Sequence, residues 1–307
     1  MKRPLFVSNS EILKYSRWLE RNTDMTRSKS ALQVASYRLR KAGLSAARLV
    51  GWVASNKWPK PVYATRTNGN KVAELIVPIA RTDQFAHPSL EKGKRLNLEA
   101  AVPYFDELLL TPQRPLSFWR VLGRAIEGRG FTWGIELRGG CIKPAIGGGL
   151  CLLSNAIFEI AVRAGWKILE RHGHSLEAVP PTPGTIPLEA TVAWPHVDLV
   201  VAPTSRWARL EAKILSGGEL CLAIFADEPS PSVHLKVKER VIDRAGERYR
   251  EIEITRSINH IHGEIVAQSR RRILSHDELG KTCLTCNELN CRDRPNESVL
   301  KMLRKVS

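Results

Sequence analysis

Cys151 is the residue of this sequence best placed to react. It follows Gly147, Gly148 and Gly149 and precedes Leu152, Leu153, Ser154 and Asn155. Glycines free the backbone where a helix should begin. A sulfur at a helix N-terminus is biased toward thiolate by the partial positive charge of the unpaired amides. His172 and His174 come next, then the acids Glu189 and Asp198. A cysteine, a histidine and an acid can perform acyl transfer: the thiolate attacks an acyl carbon, the imidazole moves the proton, and the acid orients the imidazole. The developing oxyanion would be held by the Cys151 amide and a neighbour in the glycine loop. Two other chemistries use the same residues. Cys151, His172, His174 and Glu189 form a four-ligand set suited to zinc. The glycine loop and helix start could instead bind a carboxylate or phosphate, with Gly147, Gly148, Gly149, Ser154 and Ser175 facing the ligand. A buried cysteine acting as a small hydrophobe is the bland reading.

A second group of candidates lies in the tail. Cys283-x-x-Cys286 with Cys291 gives three thiolates, and His276 is the nearest fourth ligand. This spacing predicts a structural zinc site, against which stands the reading of unligated thiols. Cys141 and Cys221 read as core. The six cysteines belong to a long chain without a secretory h-region, so a disulfide scaffold is disfavoured. The spaced glycines from Gly123 to Gly149 lack the strand–Gly-x-Gly-x-x-Gly–helix setting and a Walker lysine, which leaves nucleotide binding unsupported.

The elements that position Cys151 and the histidines are legible. Leu152, Ile157, Ile160, Ala161 and Ala164 recur at helical spacing after Cys151, and Gly165 offers a C-cap. Trp166–Leu169 reads as a short strand whose continuation would put His172 and His174 on one face. Leu96–Leu109 reads as an amphipathic helix and Lys71–Ile79 as a strand. From Leu188 onward short strands follow one another: 190–194, 198–201, 208–215, 220–225, 233–241 and 250–255. Upstream, Ser8 with Glu11 forms a capping box, and helices are expected over Ser28–Ala42, stopped by Gly43, and from Ser45 to near Asn56. Trp119, Trp133 and Trp194 would line a pocket near Cys151 or pack in the core.

Gly-Gly-Gly-x-Cys ending at Cys151, Ser154, the Arg163-Ala164-Gly165 helix end, Arg171-His172-x-His174-Ser175 and Glu189-Ala190-Thr191-Val192 together resemble the VanW-like family. Upstream, Asn97-Leu98-x-x-Ala-Ala and Pro115–Trp119 extend the resemblance, so that it covers residues 92–266. Leu152 stands where that family usually has Gln, and Glu189 where it usually has Asp. The resemblance implies an association with glycopeptide resistance and cell-wall metabolism. It also favours His174, which directly precedes Ser175 in the matched motif, as the base, with His172 second and Glu189 as orienting acid. The order of the three groups is that of papain-like and transglutaminase-like enzymes, an analogy of roles.

The expected architecture is α+β: a basic helical segment over residues 1–66, a VanW-like domain over 67–270 with the Cys151 helix on a mostly antiparallel sheet, and a cysteine-rich tail over 271–307. The net charge is +16, and residues 1–66 hold fourteen Lys and Arg against three acids, a surplus of eleven. Such a segment favours an anionic cell-wall precursor or an acidic membrane surface over nucleic acid. No run of eighteen apolar residues is present, so a transmembrane segment is not expected. The expected location is the cytoplasm, peripheral to the membrane where the basic segment engages it.

Overall fold

A computed structural model describes residues 31–54, 61–64, 69–80, 88–138, 141–177, 187, 189–229, 231–259, 261, 263–275, 282–284, 286 and 295–304. The capping box at Ser8, and His260, His262, His276 and Cys291, lie outside these residues. The chain is α+β, with its sheets almost entirely antiparallel.

The largest sheet has five strands in the order β1 (Val62–Tyr63), β3 (Leu108–Leu110), β10 (Ala208–Ile214), β11 (Glu219–Ala226) and β2 (Asn70–Pro78), all antiparallel. Leu210, Leu220, Leu222 and Ile224 are fully buried on it. The central helix α4 (Cys151–Arg163) packs on β2 and β11. Leu153, Ile157, Phe158, Ile160 and Ala161 of this helix are fully buried. Burial of a large aliphatic or aromatic side chain is worth about 1.5–3 kcal/mol, so this face fixes the helix firmly. Gly165, at φ 74°, closes its C-terminus.

Two smaller sheets frame the start of α4. A hairpin of β5 (Trp133–Arg138) and β6 (Cys141–Ile146) leads into the glycine loop. A three-stranded sheet orders β4 (Leu116–Ser117), β9 (Val200–Ala202) and β7 (Lys167–Glu170), with the short helix α3 (Phe118–Leu122) directly after β4. A fourth sheet joins β12 (Val233–Arg244), β13 (Glu247–Ile258) and β14 (Glu264–Ile273) to β8 (Leu176–Glu177), the last pair parallel.

Several local expectations change. The upstream helix α1 runs unbroken from Ala31 to Ala54 through Gly43. A single glycine costs only about 1 kcal/mol in a helix, and the Arg48 and Trp52 contacts to the core anchor the half that follows it. The helix expected over Leu96–Leu109 is α2 (Pro88–Ala101), after which a 3-10 turn (Val102–Tyr104) containing Pro103 leads to β3. The expected strand 190–194 is an irregular segment whose only ladder contact among the described residues is the Ala193–Val197 bridge. Cys141 and Cys221 are partly exposed rather than core. In the tail, Thr282 bridges Ile142, and Cys283 packs with Leu90, Leu284, Leu300 and Leu303. The latter two leucines come from the closing helix α5 (Glu297–Arg304).

Candidate active site

Helix α4 starts at Cys151, as the residues around it demand. Gly147 and Gly149 have φ values of 75° and 98°, in the left-handed region that favours glycine. Gly148 is needed for space: a Cβ there would lie 2.3 Å from a Gly134 backbone carbon. Fully buried Asn97 ties the loop down. Its Nδ2 donates to Gly148 O (2.9 Å) and Thr132 O (3.0 Å), and its Oδ1 accepts from Thr132 N (2.8 Å). The glycines therefore serve close packing, and Gly147 and Gly148 are buried rather than facing a ligand. Leu150 occupies the N-cap and supplies no side-chain hydrogen bond; Leu152 N already donates to Gly149 O at 3.0 Å, so among the opening amides it is the Cys151 N–H that stands beside the sulfur.

The Cys151 sulfur lies 3.7 Å from Thr191 Oγ1 and 4.0 Å from Val192 O. It also interacts with the His174 imidazole. His174 Nδ1 stands 3.1 Å from Glu189 Oε2. Because a carboxylate only accepts, Nδ1 carries the proton toward Glu189, which leaves Nε2 for the sulfur. Glu189 is held in turn: Arg271 Nη1 reaches its Oε1 at 3.0 Å, and Arg171 Nε donates to its backbone carbonyl at 2.6 Å. Both His174 and Glu189 side chains remain about a quarter exposed.

The charges of the three groups reinforce one another. Burial alone would raise the Cys151 pKa, but the His174 imidazole and the Val192 and Thr191 hydrogen bonds bring it below the ordinary thiol value. Burial alone would lower that of His174, yet Cys151 and Glu189 together push it up to about 10. Glu189 is likewise brought below the usual carboxylate value: burial opposes this, and His174, Arg271 and Arg171 outweigh it. A thiolate beside an imidazolium is the state these directions favour.

The first turn of α4 also fixes the acid. Ser154 is fully buried, and its hydroxyl donates to Ala190 O at 2.6 Å, with Cys151 O 3.1 Å away. Asn155 Oδ1 accepts from Ala190 N at 2.8 Å. Both polar groups of the residue after Glu189 are thus clamped by the two residues that follow the first turn's apolar pair. Ser154, expected to face a ligand, positions this segment instead. Ser175 contributes its carbonyl to Arg272 N at 2.9 Å.

His172 is not part of this group. Strand β7 ends at Glu170, so the alternation that would have aligned the two histidines stops before them. His172 turns inward, 3% exposed, with Nε2 3.1 Å from Glu170 Oε1. Glu170 also receives a two-pronged pair from Arg48 of α1, at 2.7 and 2.5 Å. Asp198 joins this second network and is not the orienting acid of Cys151. It accepts from Ser117 Oγ (2.5 Å), Trp119 N (3.1 Å) and Leu199 N (2.9 Å), and its own N–H points to Glu170 Oε1 (3.3 Å). The four-ligand zinc set of Cys151, His172, His174 and Glu189 is therefore not assembled. Among the described residues no group of three or more His, Cys, Asp and Glu side chains is placed to hold a metal. Of the tail set, Cys283 and Cys286 are described, while Cys291 and His276 are not.

Trp52, Trp119 and Trp194 form a file of rings, with centroids 5.6 Å apart at each step. Trp119 is buried in the core, whereas Trp194 is half-buried and lies two residues beyond Val192. Trp133 belongs to the β5–β6 hairpin and packs toward the tail cluster. Sequence reasoning missed Asn97, Asn155 and Arg271. The first two stand inside or beside the quoted motifs, and nothing in the Arg270–Arg272 run singles out its middle residue.

A family model described as "VanW like protein" matches residues 93–225, which contain Cys151, His174 and Glu189. The chain carries a VanW-like domain. It is 26% identical over 151 residues to vancomycin B-type resistance protein VanW of Enterococcus faecalis, covering 47% of this chain and 53% of that protein. It is 27% identical over 110 residues to the uncharacterized protein YoaR of Bacillus subtilis, covering 36% of this chain and 35% of that protein. The chain thus spans about half the length of the first relative and about a third of the second. No solved structure matches. Among the described residues, no helix is long and apolar enough to cross a membrane.

Proposed function

We propose that the VanW-like domain is a thiol enzyme acting on an amide or other acyl bond of a peptide-like, cell-wall-derived substrate. Cys151 is the nucleophile, His174 the proton carrier and Glu189 the orienting acid. The observation that carries this reading is the 3.1 Å contact of His174 Nδ1 with Glu189, on an imidazole whose other side engages the Cys151 sulfur at a helix start. In an imidazolium–thiolate pair, the sulfur attacks the acyl carbon without a prior proton transfer. The Cys151 amide at the start of α4 stabilises the oxyanion. The C–N bond then breaks as His174 protonates the leaving amine, which leaves a thioester on Cys151. Water or a second amine attacks the thioester, gives its proton to His174, and releases the thiolate. The name of the enterococcal relative, a vancomycin resistance protein, makes glycopeptide resistance the physiological setting we propose.

Arg271 favours a second use of the same place. It is 2% exposed, and its Nε and Nη2 have no hydrogen-bond partner among the described residues. With Arg171 and the uncapped start of α4, it makes the site suitable for an anionic ligand such as a carboxylate or phosphate of a cell-wall precursor. A binding module would need no nucleophile.

The pH dependence of Cys151 alkylation, followed by mass spectrometry, separates the two. An enzyme of this type labels rapidly at Cys151 well below the roughly 8.5 of a free thiol, and His174→Gln abolishes that advantage. Labelling at Cys151 no faster than at Cys221 overturns the nucleophile. The tail carries an independent proposal of a structural zinc on Cys283, Cys286, Cys291 and His276. Metal analysis of purified protein tests it, and metal-free protein of full stability removes it.

A further inference from the structure

Helix α1 has two faces that cannot serve the same purpose. Arg48 binds Glu170 and Trp52 enters the core, so their side is docked. Leu39 precedes Arg48 by nine residues, or about two and a half turns, and so faces the opposite way. That outer side is apolar. Leu39 is 75% exposed, Val50 63% and Leu49 41%, and Ala42, Gly43, Ala46 and Ala47 between them are exposed as well. The contiguous run of exposed leucine, valine and small residues exceeds what scattered surface apolar residues account for. The helix contains Arg38, Arg40, Lys41 and Arg48 and no acidic residue.

We infer that the outer face of α1 lies on an anionic lipid surface, flat in the interface with Leu39, Leu49 and Val50 inserted among the acyl chains. An apolar stripe on a helix that is purely cationic matches such a surface on both counts. The helix does not meet the length and apolarity needed to span a bilayer, which leaves the interfacial orientation. Charge decides against a second copy as the occupant. Two α1 helices meeting through this face would bring together helices that each carry Arg38, Arg40 and Lys41 beside the Glu170-paired Arg48 and no acidic residue, in segments whose surplus is already eleven. The docked side stays on the core through Arg48 and Trp52, so the lipid contact requires no unfolding.

The test uses the full chain and two vesicle populations, phosphatidylglycerol mixed with phosphatidylcholine and phosphatidylcholine alone. Co-sedimentation should show binding to the mixed vesicles that weakens with salt and is much smaller on the neutral ones. The double substitution Leu39→Glu/Val50→Glu should lower the partition coefficient by about tenfold or more, since it removes apolar insertion and adds repulsion. Both side chains are exposed, so the fold should survive, which unchanged alkylation kinetics at Cys151 verify. Equal binding of the double variant, or no preference for the anionic vesicles, overturns the inference. So does a wild-type dimer in sedimentation that the double variant converts to monomer, because the face would then belong to a second copy.

Discussion

His172 and His174 stand two residues apart, and each is 3.1 Å from a glutamate. Their surroundings give these similar pairs different work. His174 with Glu189 keeps about a quarter of its surface in solvent and faces a sulfur. His172 with Glu170 is sealed, and its glutamate is shared with Arg48 and the Asp198 backbone. Burial would raise the Glu170 pKa, but His172 and Arg48 hold it down at about 2. For Asp198, burial and the Glu170 charge act together and push it up to about 7. A histidine–carboxylate contact alone therefore does not mark an active site. What supports the proposed site at His174 is the neighbouring sulfur and the access to solvent.

Four outcomes would break or sharpen that contrast. The largest effect is expected on the sealed side. Glu170→Gln leaves the Arg48 guanidinium without its buried counter-charge and should cost about 3–5 kcal/mol in urea unfolding. Labelling at Cys151 should be unaltered in the molecules that remain folded. Next comes His174→Gln, which should slow Cys151 alkylation at pH 6 about a hundredfold and move its pH midpoint toward the roughly 8.5 of an ordinary thiol, while His172→Gln leaves the midpoint in place. An equal shift from both variants would merge the two networks and dissolve the contrast.

A smaller effect belongs to the clamp. Asn155→Ala frees Ala190 N and should cost about 1–2 kcal/mol. Glu189 should then hold His174 less well, so the Cys151 midpoint should rise by part of the His174→Gln shift. The last effect is on Asp198 and depends on pH. Its folded-state pKa of about 7 lies above the ordinary 3.8. The folded chain therefore holds this proton more tightly than the unfolded chain. The stability that comes from it is complete below about pH 4 and is lost as pH rises through 7. Asp198→Asn keeps the site neutral in both states, so its advantage over wild type should grow by about 1.4 kcal/mol per pH unit between pH 5 and pH 7 and level off above. A pH-independent difference would show that Asp198 is ionised throughout.

Much of the site was legible in the sequence because its parts obey local rules. Cys151 at the start of α4, Gly165 at its end and β7 behind it follow from glycine punctuation and helical spacing. The choice between the two histidines was not legible from period two, since β7 stops at Glu170 and the chain from Arg171 to His174 has no ladder to impose alternation. Asp198 looked like a second acid because sequence distance says nothing of burial. Ser154 looked ligand-facing because a serine in the first turn of a helix commonly is polar surface, whereas here Ala190 packs over it. Helix α1 crosses Gly43 because one glycine is only a weak helix breaker, and α2 begins at Pro88 because proline suits the first helical position.

The grip of Ser154 and Asn155 on Ala190 has one more implication. Glu189 is registered to the helix that carries Cys151 by two hydrogen bonds, one on each side of Ala190. The register of Glu189 against Cys151 is therefore not left to the length and composition of residues 178–186, which follow the strand β8. An insertion between residues 178 and 186 should accordingly leave the pH midpoint of Cys151 alkylation where it is in the unaltered chain.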